Sequence, residues 1–166
     1  MNTLGYVSVC MLLAMGACLS GALENGLIRT PPMGWSTWNK FHCGINETLI
    51  KEMADALASS GLSKAGYVYV NLDDCWMAAE RNSTGYLQAD ATTFPSGMKA
   101  LGDYIHGKGL KYGLYGDPGT MTCQRRAGNE NHEKIDALTY AEYGADYFKY
   151  DSCYASHDYQ LHAYMV

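Results

Sequence analysis

The sequence predicts an α/β chain with parallel strands, about the first four βα units of a (β/α)8 (TIM) barrel, on three observations. A glycine placed to end a helix is followed three times by a short apolar run closed by aspartate: Gly66-Tyr-Val-Tyr-Val-Asn-Leu-Asp73, Gly109-Leu-Lys-Tyr-Gly-Leu-Tyr-Gly-Asp117 and Gly144-Ala-Asp-Tyr-Phe-Lys-Tyr-Asp151. Glycine fits the left-handed position just past a helix C-terminus, and short apolar runs suit buried parallel strands. Strand and helix patterns also alternate along the chain, which implies right-handed crossovers and an all-parallel sheet. Finally, no Gly-x-Gly-x-x-Gly loop follows any strand, which weighs against the competing closure, an open doubly wound nucleotide-binding sheet. Acidic groups at the C-terminal ends of successive strands are where a β/α barrel builds its active site.

A first strand is expected over 33–39, after the turn-forming pair Pro31-Pro32. A helix follows over 47–60, with Ile50, Met53, Ala54 and Leu57 at helical spacing and Asn46 as its N-cap. An N-glycan on Asn46 is expected to compete with that cap. The second strand spans 67–72; a long loop carrying Trp76 leads to a helix opened by Pro95, with Met98, Leu101 and Ile105 on one face. The third strand spans 110–115, a helix covers 130–143, the fourth strand spans 145–150, and 157–166 begins another helix. Four units leave two strand edges unpaired. The pattern runs into a helix without a stop signal, so the chain is expected to be the N-terminal part of a longer protein.

At 166 residues, 48% apolar and 17% charged, the composition is that of a globular domain. A net charge of −5 and the absence of any basic run argue against a nucleic-acid partner. Residues 1–22 contain no charged side chain, hold an apolar stretch too short to span a bilayer, and end Ser20-Gly21-Ala22. They read as a cleaved signal peptide rather than a buried helix, leaving 23–166 as the mature domain, with no membrane anchor. Cys10 and Cys18 would leave with the signal. The four cysteines that remain, Cys43, Cys75, Cys123 and Cys153, suggest two disulfides with three possible connectivities. None shows the short spacing of a structural zinc site, so no metal is expected. Two sequons, at Asn46 and Asn82, can carry glycans only in the secretory pathway. Export to a lumenal or extracellular compartment follows from the three signals together.

Asp151 closes the fourth strand and Lys149 precedes it by two, so both side chains share a face. A cation beside a carboxylate holds it ionised, as a glycosidase nucleophile must be; a structural ion pair is the alternative. Asp73 and Asp74 are adjacent and point to different sides, an arrangement suited to accepting hydrogen bonds from neighbouring sugar hydroxyls or, more plainly, to capping loops. Trp35 and Trp38, expected on the first strand with opposite parity, are either core or one core and one sugar platform. Tyr115 and Asp117 end the third strand on one face, and Asp117 before Pro118 is placed to initiate a turn. The five histidines form no ligand spacing, and a Gly-x-Ser-x-Gly elbow is absent. Carboxylate chemistry is what remains.

These segments resemble glycoside hydrolase family 27, the α-galactosidases (melibiases) and α-N-acetylgalactosaminidases. The likeness is carried by Thr30-Pro-Pro-Met-Gly-Trp-Ser-Thr-Trp-Asn39, Asn71-Leu-Asp-Asp-Cys-Trp76, Phe94-Pro-Ser-Gly-Met98, Lys108-Gly-Leu-Lys-Tyr-Gly-Leu-Tyr115 and Asp146-Tyr-Phe-Lys-Tyr-Asp-Ser-Cys153, in the family's order. The resemblance implies a retaining exo-glycosidase acting on terminal α-linked galactose. Asp151 would be the nucleophile, with Trp38, Asp73, Asp74, Tyr115 and Lys149 around the sugar. It implies the pairings Cys43–Cys75 and Cys123–Cys153, no cofactor or metal, and a lysosomal, vacuolar or secreted enzyme; a homodimer of the full-length protein is compatible with it. The family's acid/base aspartate comes from a later strand than this chain contains. The alternatives are an α-N-acetylgalactosaminidase and a non-catalytic, galactose-binding truncated product.

Overall fold

The computed structural model describes residues 30–156. The chain divides into two compact units after Pro31. Only Thr30 and Pro31 of the first unit are described, and the architecture below belongs to the second. The expected signal peptide and the expected helix over 157–166 lie outside the described residues.

The elements follow in the order β1 (Gly34–Ser36), α1 (Trp38–Phe41), α2 (Glu47–Ser59), a 3₁₀ turn (Ser63–Ala65), β2 (Tyr69–Asn71), α3 (Met98–Gly107), β3 (Lys111–Gly116), α4 (Glu133–Glu142) and β4 (Tyr147–Tyr150). The four strands form one parallel sheet in sequential order, β1-β2-β3-β4. That is the strand order of successive right-handed βα units in a barrel. The three repeat glycines hold left-handed backbone, with φ of 99° at Gly66, 73° at Gly109 and 79° at Gly144. Each therefore turns the chain out of helical structure and into the next strand, as the repeat implied.

Register fixes the faces. Ser36 lies beside Asn71, Asn71 beside Gly113, and Gly113 beside Tyr147; Tyr115 lies beside Lys149. With period two along each strand, Val70, Leu72, Tyr112 and Leu114 take the opposite face and are buried. Together with Ile50, Ala54 and Leu57 of α2 and Met98, Leu101 and Ile105 of α3 they form one core. Gly102 lets α3 approach the sheet: a Cβ there would meet the Tyr143 carbonyl oxygen at 2.6 Å and the Tyr112 ring at 3.0 Å. On the other face, Tyr69 and Tyr147 meet edge-on with centroids 6.0 Å apart. Asn71 lies across Gly113, where a Cβ would overlap its amide. Gly34, Ser36, Asn71, Asp73, Tyr147 and Lys149 line a cavity of about 280 Å³ on this inner face.

The helix over 47–60 is present, capped by Asn46, whose Oδ1 accepts the Leu49 N–H at 2.9 Å. The cap uses Oδ1, whereas an N-glycan would be carried on Nδ2, so the cap bond leaves the atom a glycan would need outside it. The first strand is shorter than expected. Thr37 turns to helical backbone (φ −71°, ψ −34°) and α1 begins at Trp38, so Trp38 stands on a short helix rather than on β1. The cause is long-range: the Thr37 N–H still bonds the Asn71 carbonyl, but its Oγ1 accepts the Asp73 N–H at 2.9 Å, pulling the chain around the end of β2. The strand-parity argument for Trp35 and Trp38 therefore falls.

Candidate active site

Four of the anticipated residues form one connected group at the C-terminal ends of β2, β3 and β4. Lys149 Nζ lies 2.7 Å from Asp73 Oδ2 and 3.6 Å from Asp151 Oδ2. Register places Tyr115 next to Lys149; the ammonium sits 5.1 Å from the centre of its ring, within cation–π range. The Tyr115 hydroxyl reaches Asp151 Oδ2 at 3.3 Å. Asp151 Oδ1 accepts the Ser152 N–H, and the Asp151 backbone N–H bonds the Gly116 carbonyl, both at 3.0 Å. The Asp151 side chain remains 36% exposed while that of Asp73 is 5% exposed. Asp73 thus anchors the lysine from below, and Asp151 presents its carboxylate at the surface of the rim.

The protonation pattern suits that arrangement. Burial pulls the Lys149 ammonium down, but the hydrogen bond to Asp73 and the charges of Asp73 and Asp151 outweigh it, so the group titrates above its ordinary value. Burial, with the charges of Asp74 and Asp151 added, pushes the Tyr115 hydroxyl far above the usual phenol range. Near neutral pH it is therefore a neutral donor. A fixed cation and a fixed hydroxyl therefore face one exposed carboxylate.

Asp73 and Asp74 diverge, as their adjacency requires. Asp74 is buried: its Oδ1 accepts the Cys75 N–H at 2.7 Å and the Thr122 hydroxyl at 2.9 Å, and its Oδ2 accepts the Gln124 N–H at 2.9 Å. With three of about four acceptor positions occupied, it first holds the β3–α4 loop against the end of β2. The loop-capping alternative therefore describes Asp74 as this chain folds, while Asp73 belongs to the charged group. Asp117 also organises a loop. Its Oδ1 accepts the Gly119 N–H in a tight turn and its Oδ2 accepts the Cys153 N–H, each at 2.8 Å. Burial raises its titration, with those two bonds opposing.

Trp38 is not in the connected group. Its ring stands edge-on to His42 with centroids 5.1 Å apart, and it approaches the group through Thr37, which binds the Asp73 backbone. The disulfides Cys43–Cys75 and Cys123–Cys153 are both formed, with Cα separations of 5.3 and 5.2 Å. The first ties the loop after α1 to the residue following Asp74. The second ties the β3–α4 loop to the segment two residues beyond Asp151. Asp117, Cys123 and Cys153 converge closely, but both sulfurs are consumed by the disulfide, leaving no thiolate for a metal.

Two supporting residues carried no assignable role in the sequence. Thr37 fixes the Asp73 backbone, and Trp76, fully buried, donates its indole N–H to the Tyr115 carbonyl at 2.9 Å. Both act across 36 or more residues of chain, where no local pattern reports the contact.

A partly exposed carboxylate flanked by lysine and tyrosine thus stands at the C-terminal rim of successive parallel βα units, where β/α barrels place their sites. The family model described as alpha galactosidase A matches residues 30–165, and the chain belongs to that melibiase family, glycoside hydrolase family 27. Alpha-galactosidase 2 of Arabidopsis thaliana is 58% identical over 132 residues, covering 79% of this chain and 33% of the plant protein. Alpha-N-acetylgalactosaminidase of Gallus gallus is 46% identical, covering 86% of this chain and 38% of its own. Among solved structures, alpha-galactosidase I of Mortierella vinacea superimposes with a TM-score of 0.77 at 53% identity, over 79% of this chain and 33% of that one. The chain spans about a third of the length of the relatives it matches.

Proposed function

We propose that this chain contributes the nucleophile side of a retaining exo-α-galactosidase, with Asp151 attacking the anomeric carbon of a terminal α-linked galactose. The observation that carries the reading is the Asp73–Lys149–Asp151–Tyr115 group. Lys149 stands beside the Asp151 carboxylate without burying it, and the Tyr115 hydroxyl donates to the same oxygen. A retaining mechanism forms an ester between that oxygen and C1 while a second carboxyl group, about 5–5.5 Å away, protonates the leaving oxygen. The family resemblance assigns that acid to a later strand than the four here. Asp73, and Asp74 through its remaining acceptor position, would receive sugar hydroxyls, with Trp38 at the edge of the ring. Identity to alpha-galactosidases of 58% favours galactose. The 46% identity to an alpha-N-acetylgalactosaminidase supports the second reading, in which the 2-position carries an acetamido group.

The reading includes passage through the secretory pathway to a lysosomal, vacuolar or extracellular site, with glycans at Asn46 and Asn82. Both side chains engage neighbours through Oδ1, and Asn82 accepts the Thr84 N–H, the Thr84 hydroxyl and the Tyr86 N–H. The acceptor nitrogen is outside these bonds.

The test of the nucleophile is Asp151→Gly in the full-length enzyme, assayed on an activated aryl α-galactoside. Turnover is expected to fall by about 10³-fold or more, and azide entering the vacated space is expected to restore it as β-galactosyl azide. Retained turnover without azide would contradict the assignment.

A further inference from the structure

We infer that the Arg81–Asp136 ion pair, buried on its carboxylate side, positions the reacting carboxylate, acting through Asn129 and Asp117; the inference rests on Asp151 being the nucleophile. Arg81 lies in the loop after β2 and Asp136 on α4, 55 residues apart, with side chains only 13% and 1% exposed. The guanidinium binds both carboxylate oxygens, at 2.7 and 2.6 Å, and also donates to the carbonyls of Gly85 at 2.9 Å and Gly128 at 2.6 Å. Two charges taken out of water at this cost are retained only where their geometry is well satisfied. Here one fork fills four acceptors, which an ammonium cannot copy.

The chain of bonds continues toward the rim. Asp136 Oδ2 accepts from Asn129 Nδ2 at 2.6 Å. Asn129 Oδ1 accepts the Asp117 N–H at 3.1 Å, and the Asp117 carbonyl accepts the Asn129 N–H at 2.8 Å. The Asp117 carboxylate then holds the Cys153 N–H at 2.8 Å. Asn129 also presses beneath the neighbouring peptide: a Cβ on Gly116 would meet its Oδ1 at 2.5 Å and the Tyr140 hydroxyl at 2.9 Å. The Gly116 carbonyl is the acceptor for the Asp151 N–H. The segment carrying Asp151 is thus held on both sides, at Gly116 and at Cys153, by groups that Asn129 and Asp117 fix. Arg81 touches neither sugar site nor Asp151, so it is a positioning residue.

The experiment compares Arg81→Lys and Tyr140→Phe with the parent full-length enzyme. Steady-state kinetics are expressed per mole of folded protein, well below each variant's melting temperature. Tyr140→Phe removes one hydrogen-bond acceptor of Asn129 with almost no change of volume, and it probes the same chain of bonds should Arg81→Lys fail to fold. Displacement of a reacting group by about 1 Å costs about 10²-fold. Arg81→Lys is therefore expected to lower kcat by about 10- to 100-fold with KM within about threefold. Tyr140→Phe is expected to lower kcat in the same direction by less. A staple that merely stabilises the loops would lower the melting temperature and leave kcat within twofold in the folded variants; that result overturns the inference. Azide rescue of Asp151→Gly, run beside them, separates the two ideas. Without rescue the nucleophile assignment fails; with rescue and unchanged kcat in both variants, only the positioning role fails.

Discussion

Lys149 is the residue on which the electrostatics of the rim turn, because it is the cation shared by Asp73 and Asp151. Its raised titration gives a signed stability effect. The folded protein holds this proton more tightly than the unfolded chain, so the contribution is complete below the unfolded value near 10.5 and is lost as pH rises through the higher folded value. Thermal melts of the full-length protein and of Lys149→Met should therefore differ most at neutral pH, with the gap closing above about pH 10.5. A gap unchanged by alkali would remove Lys149 from the ion-pair role. Asp117 carries a consequence of the same sign in a lower pH window. Burial raises its carboxyl, so the folded state gains relative stability as pH falls toward the carboxylate range. Asp151 and Lys149 were legible in the sequence because two residues on one strand share a face. Which of the paired aspartates caps a loop was not, since the Asp74 partners Thr122 and Gln124 come from another loop, 48 and 50 residues away.

The elements show why the repeat was readable and its boundaries were not. Glycine at left-handed φ is a local requirement, and Gly66, Gly109 and Gly144 all meet it. Gly144→Ala, at φ 79° and with the His106 ring 3.2 Å from a new Cβ, should destabilise the protein by about 1–2 kcal/mol, read as a lower urea midpoint with unchanged slope. Helix α2 offers a second check. Asn46→Ala removes the cap and should cost about 1 kcal/mol, whereas Thr48→Ala abolishes the sequon and leaves the Oδ1 cap in place. Equal losses from both, measured on unglycosylated protein, would contradict the cap. Strand ends were misjudged where distant groups redirect the backbone. Thr37 ends β1 by binding the Asp73 N–H, and Trp38 consequently opens α1. No window of sequence around residue 38 carries that information.

Over the described molecule, one face of the sheet is packed under α2 and α3 while the other carries Tyr69, Lys111, Tyr147 and Lys149 half-buried or exposed. Parallel strands are covered on both faces in stable domains, and β1 and β4 each keep one edge without a strand partner among the described residues. Asn71 Oδ1, on the inner face, is buried without a donor among the described residues. The 166-residue chain alone is accordingly expected to melt without a sharp transition and to bind a dye specific for exposed apolar surface. A cooperative melt with no dye binding would show that the four units stand by themselves. The central claim, that Asp151 forms the covalent bond, has a direct test in the full-length enzyme. A 2-deoxy-2-fluorogalactosyl inactivator should leave its sugar on the peptide containing Asp151. A label on any other carboxylate would contradict the account.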